Sequence, residues 1–452
     1  DVSAATSLEY AFYNCTNLET IDVSGWDTGL VEDFTQIFRS CASLTTLDVS
    51  SWDTSSATNF QYAFFDCEEL TTIGDTSGWD TSSATNFQYA FFRCSNLTTL
   101  DTSGWNTSKV TNLYNTFNSC SNLTTLDVSG WDVGLVGNFT GTFQDCSGLT
   151  ELDVSGWDTS SAVGAMNYTF YSCSNLTTLD VSGWNTTGVT QLNATFRANP
   201  NLTALDLSGW DISSVDRFYD TFNGCRSLTT IGDTSSWDTS EVTHFYQTFN
   251  QCYDLTAIDV SGWDTSKATF FLNMFAYCRS LTALDTSGWD LSSAVYLNST
   301  FSNCEELTTI GDTSGWNTSS VLYMNGLFHS CYNLAAVDVS GWDVGLVENF
   351  FATFYRCYAL TELDTSNWNT SSATTFNQAF VRCEGLTTID VSSWDTSNVT
   401  DFLSVFYGCS SLETVTVNGG TGNPFADSPC TNYTNAFTDT NLTYESINDI
   451  LI

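Results

Sequence analysis

Histidine, positive charge and proline are scarce in this chain. Two His, ten Lys+Arg and three Pro stand among 452 residues, against 51 Asp+Glu, for a net charge of −41. Two imidazoles leave little material for His-based acid–base chemistry or a typical zinc site. His244 and His329 lie eight residues before Cys252 and two before Cys331, at different places in a repeat. Three coils at a ~4.8 Å rise separate them by ~14 Å along a stack, so they share no site. A chain this acidic attracts neither nucleic acid nor an anionic membrane by charge. No apolar run approaches the ~18 residues of a membrane span, so direct membrane insertion is not expected. Gly-rich phosphate loops, HExxH and GxSxG are missing as well. Disorder is excluded by what is present: 42% apolar and 15% aromatic residues can build a core.

The cysteines declare the architecture. They fall at 15, 41, 67, 94, 120, 146 and 173, then at 225, 252, 278, 304, 331, 357, 383 and 409, and last at 430. The step is 26 or 27 as far as Cys409, and Asn199 fills the single gap in register. Fifteen tryptophans, Trp26 to Trp394, keep the same step. Self-similarity at this period is the mark of a solenoid.

One unit, 44–70, reads LTTLDVSSWDTSSATNFQYAFFDCEEL. Leu47 and Val49 alternate with Thr46, Asp48 and Ser50, a short strand. Ser51 to Ser56, around Trp52, reads as a turn held by Asx and Ser/Thr hydrogen bonds. Phe60, Phe64 and Cys67, at i, i+4 and i+7, predict an apolar stripe on about two turns of helix. Phe stands three before the Cys position in every unit, from Phe12 to Phe406; Leu, Met or Phe stands seven before it. These rows are core, completed only when neighbouring coils stack. Four coils carry an extra residue. Three are glycines, Gly74, Gly232 and Gly311, each read as a β-bulge; the fourth lies between Trp157 and Cys173. Segments 52–65 and 79–92 are identical, a mark of coil duplication.

The expected fold is therefore an α/β solenoid: a right-handed, leucine-rich-repeat-like coil of 26–27-residue units, with one parallel sheet face and short helical turns opposite. About sixteen coils, the first incomplete, occupy 1–412, and 413–452 forms a C-terminal cap or assembly segment. The LTTLDVSGWDTSxxTxF…FxxC unit resembles the BspA-like leucine-rich-repeat surface proteins from residue 1 to about 415. The resemblance implies an extracellular or cell-surface setting and a role in adhesion or display.

The cysteines are expected as free, buried thiols. Stacked Cβ vectors run parallel and exceed the ~3.8 Å disulfide mean. Seven cysteines precede Asn199, so pairing would leave one over. Asn and Cys share a small side chain able to bond the backbone of the next turn. Cys409 with Cys430 is the one candidate bridge.

Two acidic rows flank each Trp. Four residues before it stand Asp22, Asp48, Asp75, Asp101, Asp127, Asp153, Asp180, Asp206, Asp233, Asp259, Asp285, Asp312, Asp338, Asp364 and Asp390. One residue after it stands Asp or, at 106, 185, 317 and 369, Asn. The second row's tolerance of Asn marks a turn cap. In the first row, charges ~4.8 Å apart repel by ~0.9 kcal/mol per pair in water. Backbone hydrogen bonds, raised pKa values or a ladder of Ca²⁺ ions on these fifteen carboxylates could relieve this. No other cofactor is expected.

The carboxylate pairs recur identically in every coil, whereas a catalytic site breaks repeat symmetry, so no enzyme is expected. Asn-x-Ser/Thr sequons, among them Asn96, Asn106, Asn122, Asn138, Asn193, Asn298 and Asn398, permit glycosylation in a eukaryotic secreted setting. The chain starts in mid-coil and finishes on Ile450-Leu451-Ile452. From this the first functional expectation is a structural subunit of a surface filament, associating head to tail. The alternative is a monomeric adhesin gripping a host protein, glycan or mineral through its Thr/Asp/Ser face.

Overall fold

The computed structural model describes residues 2–417 and 423–451. The chain divides into two compact units. One comprises Asp1–Arg217 with Thr221–Gly232, the other Phe218–Asp220 with Asp233–Ile452. Each is a stack of parallel coils of the leucine-rich-repeat type.

In the first unit, strands β1 (Thr99–Leu100) and β2 (Thr125–Leu126) pair in parallel, Thr99 opposite Thr125. Single parallel bridges extend the same row through Thr20, Thr46 and Thr72. A second ladder, which the residue pattern does not announce, runs through Ser7, Asp33, Asn59, Asn86, Asn112 and Asn138. Strands β3 (Gly164–Ala165) and β4 (Val189–Gln191) belong to it, with a register shift between Gly164 and Ala165. The shift accommodates the fourth extra residue; Gly164 takes φ +93 there. The glycine bulges follow one rule. Gly74 has φ +84, and a Cβ on it would lie 2.5 Å from Asp48 Oδ1.

In the second unit the strand row includes Ala283–Thr309 and Ala336–Glu362 bridges, then β5 (Thr388–Asp390) against β6 (Thr414–Thr416). Its other ladder runs from His244 through Phe270, Tyr296, Tyr323, Asn349 and Thr375 to Asp401. Helix α1 (Tyr444–Leu451) packs on β6, where Ser446 Oγ accepts the Val415 N–H at 2.9 Å.

The apolar stripe is buried as expected, but it is not helical. Among the described residues α1 is the one α-helix. In coil 60–67 the N–H groups of Phe60, Tyr62, Phe64 and Asp66 donate to the carbonyls of Asn86, Gln88, Ala90 and Phe92 in the next coil, at 2.8–3.0 Å. The intervening Ala63, Phe65 and Cys67 close i→i+3 turns on Phe60, Tyr62 and Phe64. Tyr62 and Asp66 take φ near +56 and +57. The segment is a ribbon of consecutive turns, because half its donors bond across the stack and an α-helix would keep them all within one coil. The spacing i, i+4, i+7 still puts Phe60, Phe64 and Cys67 inside.

Aromatic rows fill both cores. In the first unit, rings from Phe12 to Phe222 stack at 5.2–6.0 Å. From Trp26 to Trp210, successive indoles lie 5.7–6.4 Å apart and nearly parallel. Trp184 Nε1 donates to the Val154 carbonyl of the preceding coil at 3.1 Å. In the second unit the Phe row runs from Phe249 to Phe406 and continues to Phe437, 5.7 Å beyond. Residues 432–438 thus form a further coil: Phe406 N–H donates to Ala436 O at 2.8 Å.

Candidate functional site

The first Asp row is a row of serine-clasped carboxylates. In all fifteen positions the N–H of the serine two residues on donates to Asp Oδ1, at 2.9–3.1 Å. In most coils the serine hydroxyl donates to the same oxygen, as Ser155 does to Asp153 at 2.7 Å. These bonds favour the charged form. They hold Asp48, Asp75, Asp153, Asp206, Asp285 and Asp312 below the ordinary carboxylate range. Of the ways considered to relieve the row, hydrogen bonding is the one these aspartates show, and raised pKa values are not: a donor pair on one oxygen outweighs repulsion between solvated rungs. Among the described residues no three His, Cys, Asp or Glu side chains converge to hold a metal ion.

The second row caps its turn. Ser55 N–H donates to Asp53 at 3.0 Å, and Ser108 N–H to Asn106 at 3.1 Å. The buried threonine beside it ties coils together: Thr54 Oγ1 donates to Asp80 O at 3.0 Å.

In the first unit the strand side forms an open trough of about 820 Å³. Leu152, Leu179 and Leu205 make its floor; Asp153, Asp180 and Asp206 and their serines make one wall. Glu151, Thr178 and Ala204 make the other, and Gly232 lies at one end. Each carboxylate keeps Oδ2 outside the serine clasp. The sequence pattern places these residues on one face, but it assigns the Leu floor wholly to the core. The faint exposure of Leu152 and Leu179, 5% and 6%, is a tertiary property.

The thiols are free, and all but Cys15 are buried. From Cys41 to Cys225 and from Cys278 to Cys409 each row thiol donates to the carbonyl of the preceding coil's Phe, as Cys120 does to Phe91 at 3.1 Å. Asn199 Nδ2 makes that bond to Phe170 O at 2.8 Å and a second to Phe196 O at 2.7 Å. Burial pushes Cys41 up to about 11 and Cys120 and Cys225 up to about 12. The candidate Cys409–Cys430 bridge is not made. Cys409 donates to Phe380 O at 2.9 Å, and Cys430 turns to Asn432 O at 3.4 Å. Cys409 is spoken for by its own coil's ladder.

The family model described as Mycoplasma protein of unknown function, DUF285, matches residues 6–123, 85–204, 190–310, 273–384, 296–419 and 329–442. The chain belongs to the DUF285 family. Its repeat unit resembles that of the BspA-like leucine-rich-repeat proteins. Among solved structures, a leucine-rich repeat protein from Bacteroides ovatus is 16% identical, covering 74% of this chain and 87% of that one, with a TM-score of 0.34. A leucine rich cell surface protein from Faecalibacterium prausnitzii is 16% identical over 72% and 80%, TM-score 0.29. The functional domain of InlJ from Listeria monocytogenes, described as including a cysteine ladder, is 19% identical over 79% and 71%, TM-score 0.20. No curated protein matches this DUF285 chain. Among its described residues no helix is long and apolar enough to cross a membrane.

Proposed function

We propose that this DUF285 chain is a non-enzymatic, surface-displayed scaffold that holds a cation-presenting partner, such as a basic protein or a mineral face, against its Thr/Asp/Ser strand side. The observation that carries this reading is the trough. Its carboxylates are fixed by serine and repeated at the coil spacing above an apolar floor. Pre-fixed charges lose little freedom on binding, which favours affinity. Segment 413–452 is read as a cap, since α1 covers β6.

The test separates this face from bulk charge. Replacing Asp153, Asp180 and Asp206 together with Asn keeps the serine acceptor and removes three charges. The control replaces Asp132, Asp158 and Asp211 of the second row. Retention on a polylysine surface should fall about tenfold for the first triple, a loss of ~1.4 kcal/mol, and little for the second. Equal losses would reduce the attraction to net charge.

End-to-end assembly into a filament is the second reading. It is favoured by the outer edge of coil 432–439, where the N–H groups of Tyr433, Asn435, Phe437 and Asp439 have no partner among the described residues. Beside them lies an apolar hollow of about 550 Å³, walled by Phe425, Phe437 and Ile450. Sedimentation of the 452-residue chain decides it: mass rising with concentration supports assembly, and a constant monomer removes it.

A further inference from the structure

The repeat lets one coil serve as the control for another. The position before the row Cys lies on the turn-ribbon side and takes positive φ in coil after coil. Arg93 stands there before Cys94, and the preceding coil supplies its counter-charges. Asp66 Oδ1 is 3.3 Å from one guanidinium nitrogen and Glu68 Oε1 is 2.8 Å from another.

Arg356 and Arg382 hold the same position before Cys357 and Cys383. At the places of Asp66 and Glu68, Arg356 meets Ser330 and Tyr332. The guanidinium lies 5.1 Å from the Tyr355 ring centre. Arg356 Nε is buried with no hydrogen-bond partner, and Arg356 makes no ion pair among the described residues. For Arg382, the two places are taken by Arg356 itself and by Tyr358, whose ring centre is 5.8 Å away. Its one ion pair, to Glu384 at 3.3 Å, engages Nε. Two guanidinium groups thus occupy successive rungs, ~4.8 Å apart in backbone spacing, where Arg93 has two carboxylates. In a chain with 51 acidic residues, two guanidinium groups on successive rungs with no carboxylate at either of the facing places are distinctive.

The next coil opens space over them. Gly408 stands at the following rung with φ +73, and a Cβ on it would lie 2.9 Å from Arg382 Cγ. The result is a hollow of about 590 Å³, lined by both arginines and by Tyr355, Gln378, Ser404 and Ser410. Guanidinium forks match carboxylate or sulfate, and a tyrosine ring with amide and hydroxyl groups suits a hydroxylated ring. Glu384 and Asp439 also line it, so the site discriminates against anions that come near the rim.

We propose that the hollow between Arg356, Arg382 and Gly408 binds an anionic saccharide, its acidic group between the two guanidinium groups. This goes beyond the strand-side reading and stands or falls separately from it, because none of its residues belongs to an Asp row.

The experiment is calorimetric titration of the full chain with galacturonic-acid trisaccharide, with a κ-carrageenan disaccharide, which carries sulfate and no carboxylate, and with neutral galactotriose. Binding of either acidic sugar, with galactotriose silent, is expected; which of the two binds identifies carboxylate or sulfate as the acidic group. Arg356→Gln should weaken binding at least tenfold with an unchanged melting curve, and Asp439→Asn should tighten it several-fold. Equal binding of galactotriose, no binding of either acidic sugar, or an unchanged affinity in Arg356→Gln would overturn the proposal. Should Arg356→Gln melt early, Asp439→Asn decides by itself: tighter binding supports the site and unchanged binding overturns it, since a merely structural role predicts no gain.

Discussion

At the residue scale, the stack depends on small groups that close backbone accounts. The Phe carbonyl facing each Cys is buried, and the thiol of the next coil is its donor. Asn199 shows what the position demands, because it closes two such carbonyls with one amide. Asn199→Ala should destabilise by about 2–3 kcal/mol, through lost bonds and orphaned buried acceptors, whereas Asn199→Cys should fall within about 1 kcal/mol of the parent. Urea melts of the two variants check this. Backbone strain is the second residue-scale theme. Ala198 sits at φ +61 in the row where Gly224 and Gly408 also occur. Ala198→Gly should therefore stabilise by roughly 0.5–1 kcal/mol, against the usual sign for that change. The serine-clasped aspartates set the acid limit. At Asp48, Asp153 and Asp285 the folded pKa lies below the unfolded ~3.9, so their contribution is whole above that value and is lost as pH falls through the folded ones. Melting temperature should hold from neutral pH to about 5 and drop steeply below about 4. Millimolar Ca²⁺ at physiological salt should leave it unchanged, because serine already relieves the row.

At the element scale, the coil is one strand rung, one Trp turn and one turn ribbon. The ribbon reads as helix in the sequence because a stripe at i, i+4, i+7 is what a helix shows. Nothing in one coil's residues tells where Phe60 N–H will donate; the acceptor, Asn86 O, belongs to the next coil. The position before the row Cys holds a partial local clue: Asn14, Asp66, Asp145, Gly224, Asn303 and Gly408 are of the types that best tolerate positive φ. Stacked rings make each element's stability a property of its neighbours. Phe328, buried between Phe301 and Phe354 at 5.5 Å each, should cost about 3–5 kcal/mol as Phe328→Ala. The thiol row adds a base limit. Its folded pKa values, about 11 to 12 at Cys41, Cys120 and Cys225, exceed the unfolded ~8.5. The neutral row thus contributes fully below ~8.5 and is lost as pH rises through about 11 to 12. At a pH of about 8 a thiol reagent should label half-exposed Cys15 in the native chain and reach the buried row only after unfolding.

At the scale of the whole molecule, each unit is a one-dimensional array in which a coil meets only its neighbours. The identical segments 52–65 and 79–92 make this testable. Deleting residues 53–79 joins Trp52 to Asp80 and restores the unit without a seam. The shortened chain should fold, with the same ellipticity per residue and a melting temperature lower by about 2–4 °C. A molten or aggregated product would show that coils are not interchangeable. The trough and the arginine hollow are exceptions to uniformity, and each needs several coils at once. A binding site on such an array arises wherever neighbouring rungs stop being alike.

The amino-acid order alone determined the period, the coil, the inward rows and the paired Asp rows, because each is written as a spacing that one turn of chain must satisfy. It also placed Asn199 in the Cys role, since side-chain size and hydrogen-bonding capacity are local properties. Which oxygen a carboxylate spends on serine, which carbonyl a ribbon donates to, how far Leu152 shows through the trough floor, and whether Arg356 meets a carboxylate or a tyrosine were decided only in three dimensions. Those facts depend on the facing coil, 26 or 27 residues away, and on the stacking that brings it within bonding distance.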